Sequence, residues 1–172
     1  MVVKSRGIRD EPCLDLTDTN TPDPWITQAH GKFYMTFTGN NRIPLWETAS
    51  LADFLTRPLR GPIWMAPSSG PQSARLWAPE LHCLQGRWYI YFAGADIAIG
   101  NYSHRMYVLG GPKCDADPHK SPWELLGPIR GMDKSQWAID GTVFEVDKCL
   151  YFAYSGWPRR EDGTWEDRNE RL

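Results

Sequence analysis

The chain has 172 residues, 41% hydrophobic and 23% charged, which suits one soluble globular domain large enough to bury a core. Its 19 Lys and Arg against 21 Asp and Glu leave a formal charge of −2, which excludes the basic footprint that nucleic acid or an anionic membrane surface requires. Nine Trp, seven Tyr and six Phe, set among 15 Gly and 14 Pro, favour many short strands joined by turns, so the composition reads as all-β.

Residues 1–20, beginning "MVVKSRGIRDEPCLDL", read as an N-terminal extension. They carry basic residues but no apolar h-region, and no apolar run in the chain is long enough to cross a bilayer. From Thr21 onward three segments resemble one another: "DPWITQAHGKFYMTFTG" from Asp23, "APELHCLQGRWYIYFAG" from Ala78 and "DGTVFEVDKCLYFAYSG" from Asp140. Aligned on Tyr34, Tyr89 and Tyr151, each predicts a strand, a tight turn and a second strand ending at Gly39, Gly94 or Gly156. The tyrosines are 55 and 62 residues apart, a period longer than that of a WD40 blade and nearer to a large propeller blade.

Between the repeats, "RIPLWET" and "GPIWM" predict two more strands after Gly39, and "RMYVLGG" and "WELLGPI" stand in the corresponding places after Gly94. A complete repeat therefore holds four strands, the content of one blade. The third supplies two before "PRREDGTWEDRNERL", where nine of fifteen residues are charged and alternation stops, so residues 158–172 read as a solvated, disordered tail. The expected fold is about two and a half four-stranded antiparallel blades over residues 21–157. Closed propellers need at least four, so the chain reads as part of something larger.

Asp23 lies eleven residues before Tyr34, and Asp140 eleven before Tyr151. First strands of propeller blades face the central axis, so equivalent positions on them converge at one end of the channel. Two convergent carboxylates, rimmed by Trp25, Trp77, Trp137 and Trp157, suit glycoside hydrolysis, where one group handles a proton and flat rings stack on sugar C–H faces. Against this, an Asp at a strand start commonly caps a turn by bonding local backbone N–H groups. The shared register of the two favours a common site. The four cysteines, Cys13, Cys83, Cys114 and Cys149, form no CxxC pair and have no His at metal spacing. Neither a zinc site nor a disulfide framework follows from them, and no cofactor is expected.

"PDPWI", "RLWAPELHCLQGRWYIYFAG", "SHRMYVLGG" and "WAIDGTVFEVDKCLYFAYSGW" occur in an order that resembles glycoside hydrolase family 43, from about Thr21 to Trp157. The resemblance implies a five-bladed β-propeller, of which this chain is a part, and is nearest to exo-acting α-L-arabinofuranosidases that attack α-1,5-linked arabinan. It implies inversion with three acids. Asp23 matches the general base that activates water, and Asp140 matches the carboxylate that tunes the pKa of the general acid. That acid, a Glu in an "EGP"-type motif of the fourth blade, has no counterpart in these residues.

Glu80 in "WAPEL" lies two positions off the register of Asp23 and Asp140, so it is set aside as a catalytic acid and expected to be offset from them. With Trp25, Trp77 and Trp157 it is kept as a candidate sugar contact. His82 and His104 read as polar strand residues, because the family's metal site uses a last-blade His motif not found here. The "NYS" sequon at Asn101 is a weak glycan site. The resemblance implies an extracellular protein acting on a plant cell-wall polysaccharide or oligosaccharide, with the remaining blades as a further partner. A non-catalytic carbohydrate-binding or assembly module and a β-xylosidase of the same family stay open as alternatives. A kelch-type interaction propeller does not account for Asp in register.

Overall fold

A computed structural model describes residues 15–56 and 58–166, so Cys13 and the last residues of the charged tail lie outside it. Strands β1 (Trp25–Ala29), β2 (Lys32–Thr36), β3 (Arg42–Thr48) and β4 (Leu59–Met65) form one antiparallel sheet in the order β1-β2-β3-β4. Strands β5 (Ala74–Leu84), β6 (Arg87–Ala95), β7 (Arg105–Lys113) and β8 (Glu124–Pro128) repeat that meander, and β9 (Ala138–Val146) pairs with β10 (Cys149–Gly156). The result is two complete blades and a two-strand third blade of a β-propeller.

The turn chemistry explains why the first hairpin repeats so faithfully. His30–Gly31, Gln85–Gly86 and Asp147–Lys148 all have positive φ at both residues, the two-residue turn whose twist matches that of its flanking strands. Gly31 and Gly86 adopt this geometry freely, while Lys148 holds φ 64° with a side chain that resists it. Tyr34, Tyr89 and Tyr151 then pair with Thr27, His82 and Phe144, the same offset in each blade.

Blade 2 is clamped between its neighbours. Tyr34, Ile43 and Leu45 of blade 1 bury themselves against Leu76, Leu81, Trp88, Ile90 and Phe92 of blade 2. On the other side Ala93 and Met106 meet Ala138, Ile139 and Phe152 of blade 3. Close approach there explains the glycine after Asp140: a Cβ on Gly141 would stand 2.3 Å from Phe152 Cζ. The outer face of blade 1 is covered separately, by Phe54 from a 3-10 turn at Leu51–Phe54 packed on Met35, Phe37 and Trp46.

A disulfide joins Cys83 to Cys114, 31 residues apart with Cα atoms separated by 5.8 Å. It ties the end of β5 to the segment after β7, and Cys114 N–H also donates to Gly86 O at 2.9 Å. Closing a loop of that length is worth about 3 to 4 kcal/mol in the chain-entropy account. Cys149 is free and exposed. After Trp157 the charged segment turns back on itself, with a bridge between Arg159 and Trp165 and with Trp165 Nε1 donating to Ser135 Oγ at 2.9 Å.

Candidate active site at the mouth of the first strands

The first strand of each blade carries the same irregularity at the same place. Trp25 pairs with Thr36, and the next link is Thr38 N–H to Pro22 O at 2.9 Å, so Asp23 and Pro24 face Phe37 alone. In blade 2 the register shifts between Trp77 and Glu80, so Ala78 and Pro79 oppose Phe92; in blade 3 it shifts between Ala153 and Ser155, so Asp140 and Gly141 oppose Tyr154. The leading residue of each bulge is left-handed, with φ 53° at Asp23, 42° at Ala78 and 50° at Asp140. A bulge with a left-handed first residue bends the strand and re-aims its side chain. Asp tolerates that conformation better than most residues, so two of the three positions suit a carboxylate.

The bulges bring the predicted pair together. Asp23, Trp25, Ala78, Glu80 and Asp140 line one cavity of about 280 Å³, with Pro24 completing its wall. Asp23 Oδ2 accepts a hydrogen bond from the Thr38 hydroxyl at 2.6 Å. Trp25 is fixed across the blade boundary, its indole N–H donating to Leu81 O at 3.0 Å and its ring resting 4.9 Å from that of His82. Loss of hydration, and then the negative charges of Asp23 and Glu80, push the Asp140 carboxyl above the usual aspartate range.

Glu80 is therefore not set apart from the two Asp residues as expected; it shares their cavity. It stands two residues beyond the bulge residue Ala78, at the place Trp25 holds in blade 1, and both project to the cavity. His82 Nε2 lies 2.9 Å from Glu80 Oε2, so the carboxylate is tethered on one oxygen. His82 is thus an orienting group within the strand.

Two of the expected aromatic contacts stand elsewhere. Trp77 immediately precedes the bulge and turns into the sheet packing, where it stacks on His104 at 4.0 Å and donates to Asn40 Oδ1 at 3.1 Å. Trp157 stacks on Trp137 at 5.0 Å with planes 5° apart, forming a paired platform that does not line the cavity. His104 lies just ahead of β7, fully buried, with Nδ1 2.9 Å from Asn101 O and Nε2 3.2 Å from Arg75 O. Burial lowers its pKa, and its ring packs against Trp77. The side-chain oxygen of Asn101 in the sequon is buried. Among the described residues no group of three or more His, Cys, Asp or Glu side chains is placed to hold a metal ion.

Thr38 is the site residue that motif reading passes over. Its signal lies in the repeat itself: four residues after the anchor tyrosine stand Thr38, Ala93 and Ser155, so a hydroxyl occurs in the two blades that carry Asp and not in the one that carries Ala78.

Residues 16–169 match the sequence profile of glycosyl hydrolases family 43. An extracellular exo-α-(1→5)-L-arabinofuranosidase of Streptomyces chartreusis is 33% identical over 153 residues, covering 87% of this chain and 44% of that protein. An α-L-arabinofuranosidase B of Pyricularia oryzae is 32% identical, covering 82% of this chain and 29% of the relative. Among solved structures, an α-L-arabinofuranosidase from Lactobacillus brevis superposes with a TM-score of 0.68 at 31% identity, covering 79% of this chain and 44% of that one. An endo-arabinase from Bacteroides thetaiotaomicron shares the fold with a TM-score of 0.66 at 17% identity, covering 86% of this chain and 49% of that one. The chain thus spans less than half the length of these relatives, and within that span it belongs to glycosyl hydrolases family 43.

Proposed function

We propose that these residues form the front part of an inverting α-L-arabinofuranosidase that releases terminal arabinofuranose from arabinan or from an arabinose-substituted polysaccharide. The observation that carries this reading is the placement of Asp23 and Asp140 on identical bulges of two blades, both lining one cavity of about 280 Å³.

Asp23 acts as the general base. Held at Oδ2 by Thr38, it has its other oxygen left for a water, from which it takes a proton as that water attacks the anomeric carbon. Asp140 supplies negative charge beside the general acid and keeps that acid protonated near neutral pH. The acid itself comes from a later blade. Trp25 offers a ring edge to the sugar and Glu80 a carboxylate for its hydroxyls, with His82 holding the second oxygen. Trp77 is engaged in packing, and Trp157, stacked on Trp137, is kept as a candidate contact for a longer chain.

The curated Streptomyces relative is named extracellular, and the Cys83–Cys114 disulfide supports the same address here, because such bonds persist in oxidising compartments. A solved arabinanase of this fold from Cellvibrio cellulosa is described in complex with arabinohexaose, which supports an arabinose polymer as the partner. The test is hydrolysis of an aryl α-L-arabinofuranoside and of α-1,5-arabino-oligosaccharides by the 172-residue chain, alone and mixed with separately expressed C-terminal blades. The chain alone is expected to be silent, since without a proton donor the departing sugar oxygen leaves as an alkoxide. The mixture is expected to turn over in an Asp23-dependent way. Oligosaccharide binding without hydrolysis by the assembled protein would replace this reading with that of a carbohydrate-binding module.

A further inference from the structure

Thr38 makes two hydrogen bonds whose directions are not interchangeable. The backbone N–H of Ala78 donates to Thr38 Oγ1 at 2.8 Å, and an N–H can only donate. The single hydroxyl hydrogen of Thr38 is then free for its other neighbour, Asp23 Oδ2, at 2.6 Å. Asp23 Oδ2 is thereby cast as an acceptor, the role a carboxylate base takes toward its orienting group. Thr38 also donates its own N–H to Pro22 O, so it holds both the residue ahead of the bulge and the bulge's first residue.

The donor at the far end of this relay is the bulge residue of the next blade, with the same left-handed backbone as Asp23. Blade 2 carries Ala78 at that position in place of a carboxylate and contributes its main chain. The hydroxyl also follows the carboxylate through the repeat: Asp23 goes with Thr38, Asp140 with Ser155, and Ala78 with Ala93.

We infer that Thr38 is a positioning residue for Asp23, its hydroxyl oriented by the Ala78 N–H of the neighbouring blade so that Oδ2 is engaged and Oδ1 is left to the attacking water. This rests on the assignment of Asp23 as general base, and the relay couples assembly of blades 1 and 2 to the geometry of the catalytic carboxylate.

Thr38→Val, nearly isosteric, removes both hydrogen bonds; Thr38→Ser keeps them. In the assembled protein Thr38→Val is expected to lower kcat by about 10- to 100-fold, as loss of one charge-assisted hydrogen bond at a reacting group does, with KM unchanged. Thr38→Ser restores kcat to near the wild-type value. In the 172-residue chain, amide exchange at Ala78 is expected to quicken in the Val variant and to stay protected in the Ser variant. Wild-type kcat in Thr38→Val, an effect carried by KM, or equal losses in Val and Ser would overturn the inference. If the wild-type assembly shows no Asp23-dependent turnover, the functional reading itself has failed. The exchange data then decide the linkage, which stands if Ala78 protection depends on the hydroxyl and falls if Thr38→Val leaves it unchanged.

Discussion

Blade 1 and blade 3 begin with the same strand, turn and strand, yet they live in different surroundings. Tyr34 is 3% exposed and Tyr151, its repeat partner, is 51% exposed, although both pair with the residue seven positions earlier on the first strand. The difference teaches that the repeat encodes the hairpin, whereas burial is supplied by the neighbouring blade. The same holds at the mouth of the strands. Thr38 beside Asp23 is completed by a donor from blade 2, while its repeat counterpart Ser155, paired with Ile139, makes no such side-chain bond among the described residues. Phe144, Val146, Leu150 and Tyr154 join Tyr151 in leaving the third hairpin open on its outer side. Such an edge invites pairing with further strands.

The strongest way to break the comparison is at the two carboxylates. In the assembled protein Asp23→Ala is expected to lower turnover by about 10²- to 10⁴-fold while oligosaccharide affinity, read by calorimetry, holds. Retained turnover would mean that the finished mouth of blade 1 does not supply the base. Next in size is the contrast in packing. Trp88→Ala, in the closed interface where Trp88 is fully buried, is expected to cost about 3 to 5 kcal/mol in denaturant unfolding, and Tyr151→Ala less than about 1 kcal/mol. Equal costs would show that blade 3 is as tightly held as blade 1.

A gain of stability is expected at the third turn. Lys148 occupies, at φ 64°, the place that glycine holds in the other two hairpins. Lys148→Gly is expected to raise stability by about 1 kcal/mol, the order of the left-handed penalty for a residue with a Cβ, offset in part by the freedom glycine adds to the unfolded chain. The corresponding exchange in blade 1, Gly31→Lys, should cost a similar amount. Thermal melts of the two variants read both signs.

Much of the fold was legible because its determinants are local. "RIPLWET" coincides with β3, and the anchor tyrosines mark the hairpins, since a two-residue turn fixes register within a few residues. The Asp23–Asp140 pair was legible for the same reason: it depends only on the repeat. Glu80, a candidate sugar contact from the sequence, departs only from its expected offset: a step of two along a strand returns to the same face, so it lines the cavity with the two Asp residues. Trp77 and Trp157 do not line the cavity, because composition records rings near the strand ends without saying which way each one turns. The Cys83–Cys114 bond depends on a three-strand meander bringing positions 31 residues apart together, and nothing in the spacing announces it. The repeat marks the position of Thr38, but its partners lie across the hairpin and across the blade boundary, so they appear only when the blades are side by side.

The smallest expected effect is the most specific to the site. Asp140 binds its proton more readily in the folded protein than the ordinary aspartate value of 3.8 allows, through lost hydration first and the charges of Asp23 and Glu80 after it. Over the interval from that value up to the raised one, the folded state holds more protons than the unfolded state, so this residue's contribution to stability falls as pH rises. Above the interval a constant penalty remains; below it there is none. Asp140→Asn removes the penalty, so the variant and wild type are expected to melt together at low pH and to separate as the pH is raised past 4, with the variant the more stable. Asp140 is only partly withdrawn from solvent, which still screens the charges and keeps the difference within the roughly 0.5 kcal/mol typical of surface sites. Asp23→Ala takes away one of the charges responsible, so in that background the gain from Asp140→Asn is expected to shrink. Gains of equal size in both backgrounds would show that the two carboxylates do not sense each other, and the shared site would be lost with that coupling.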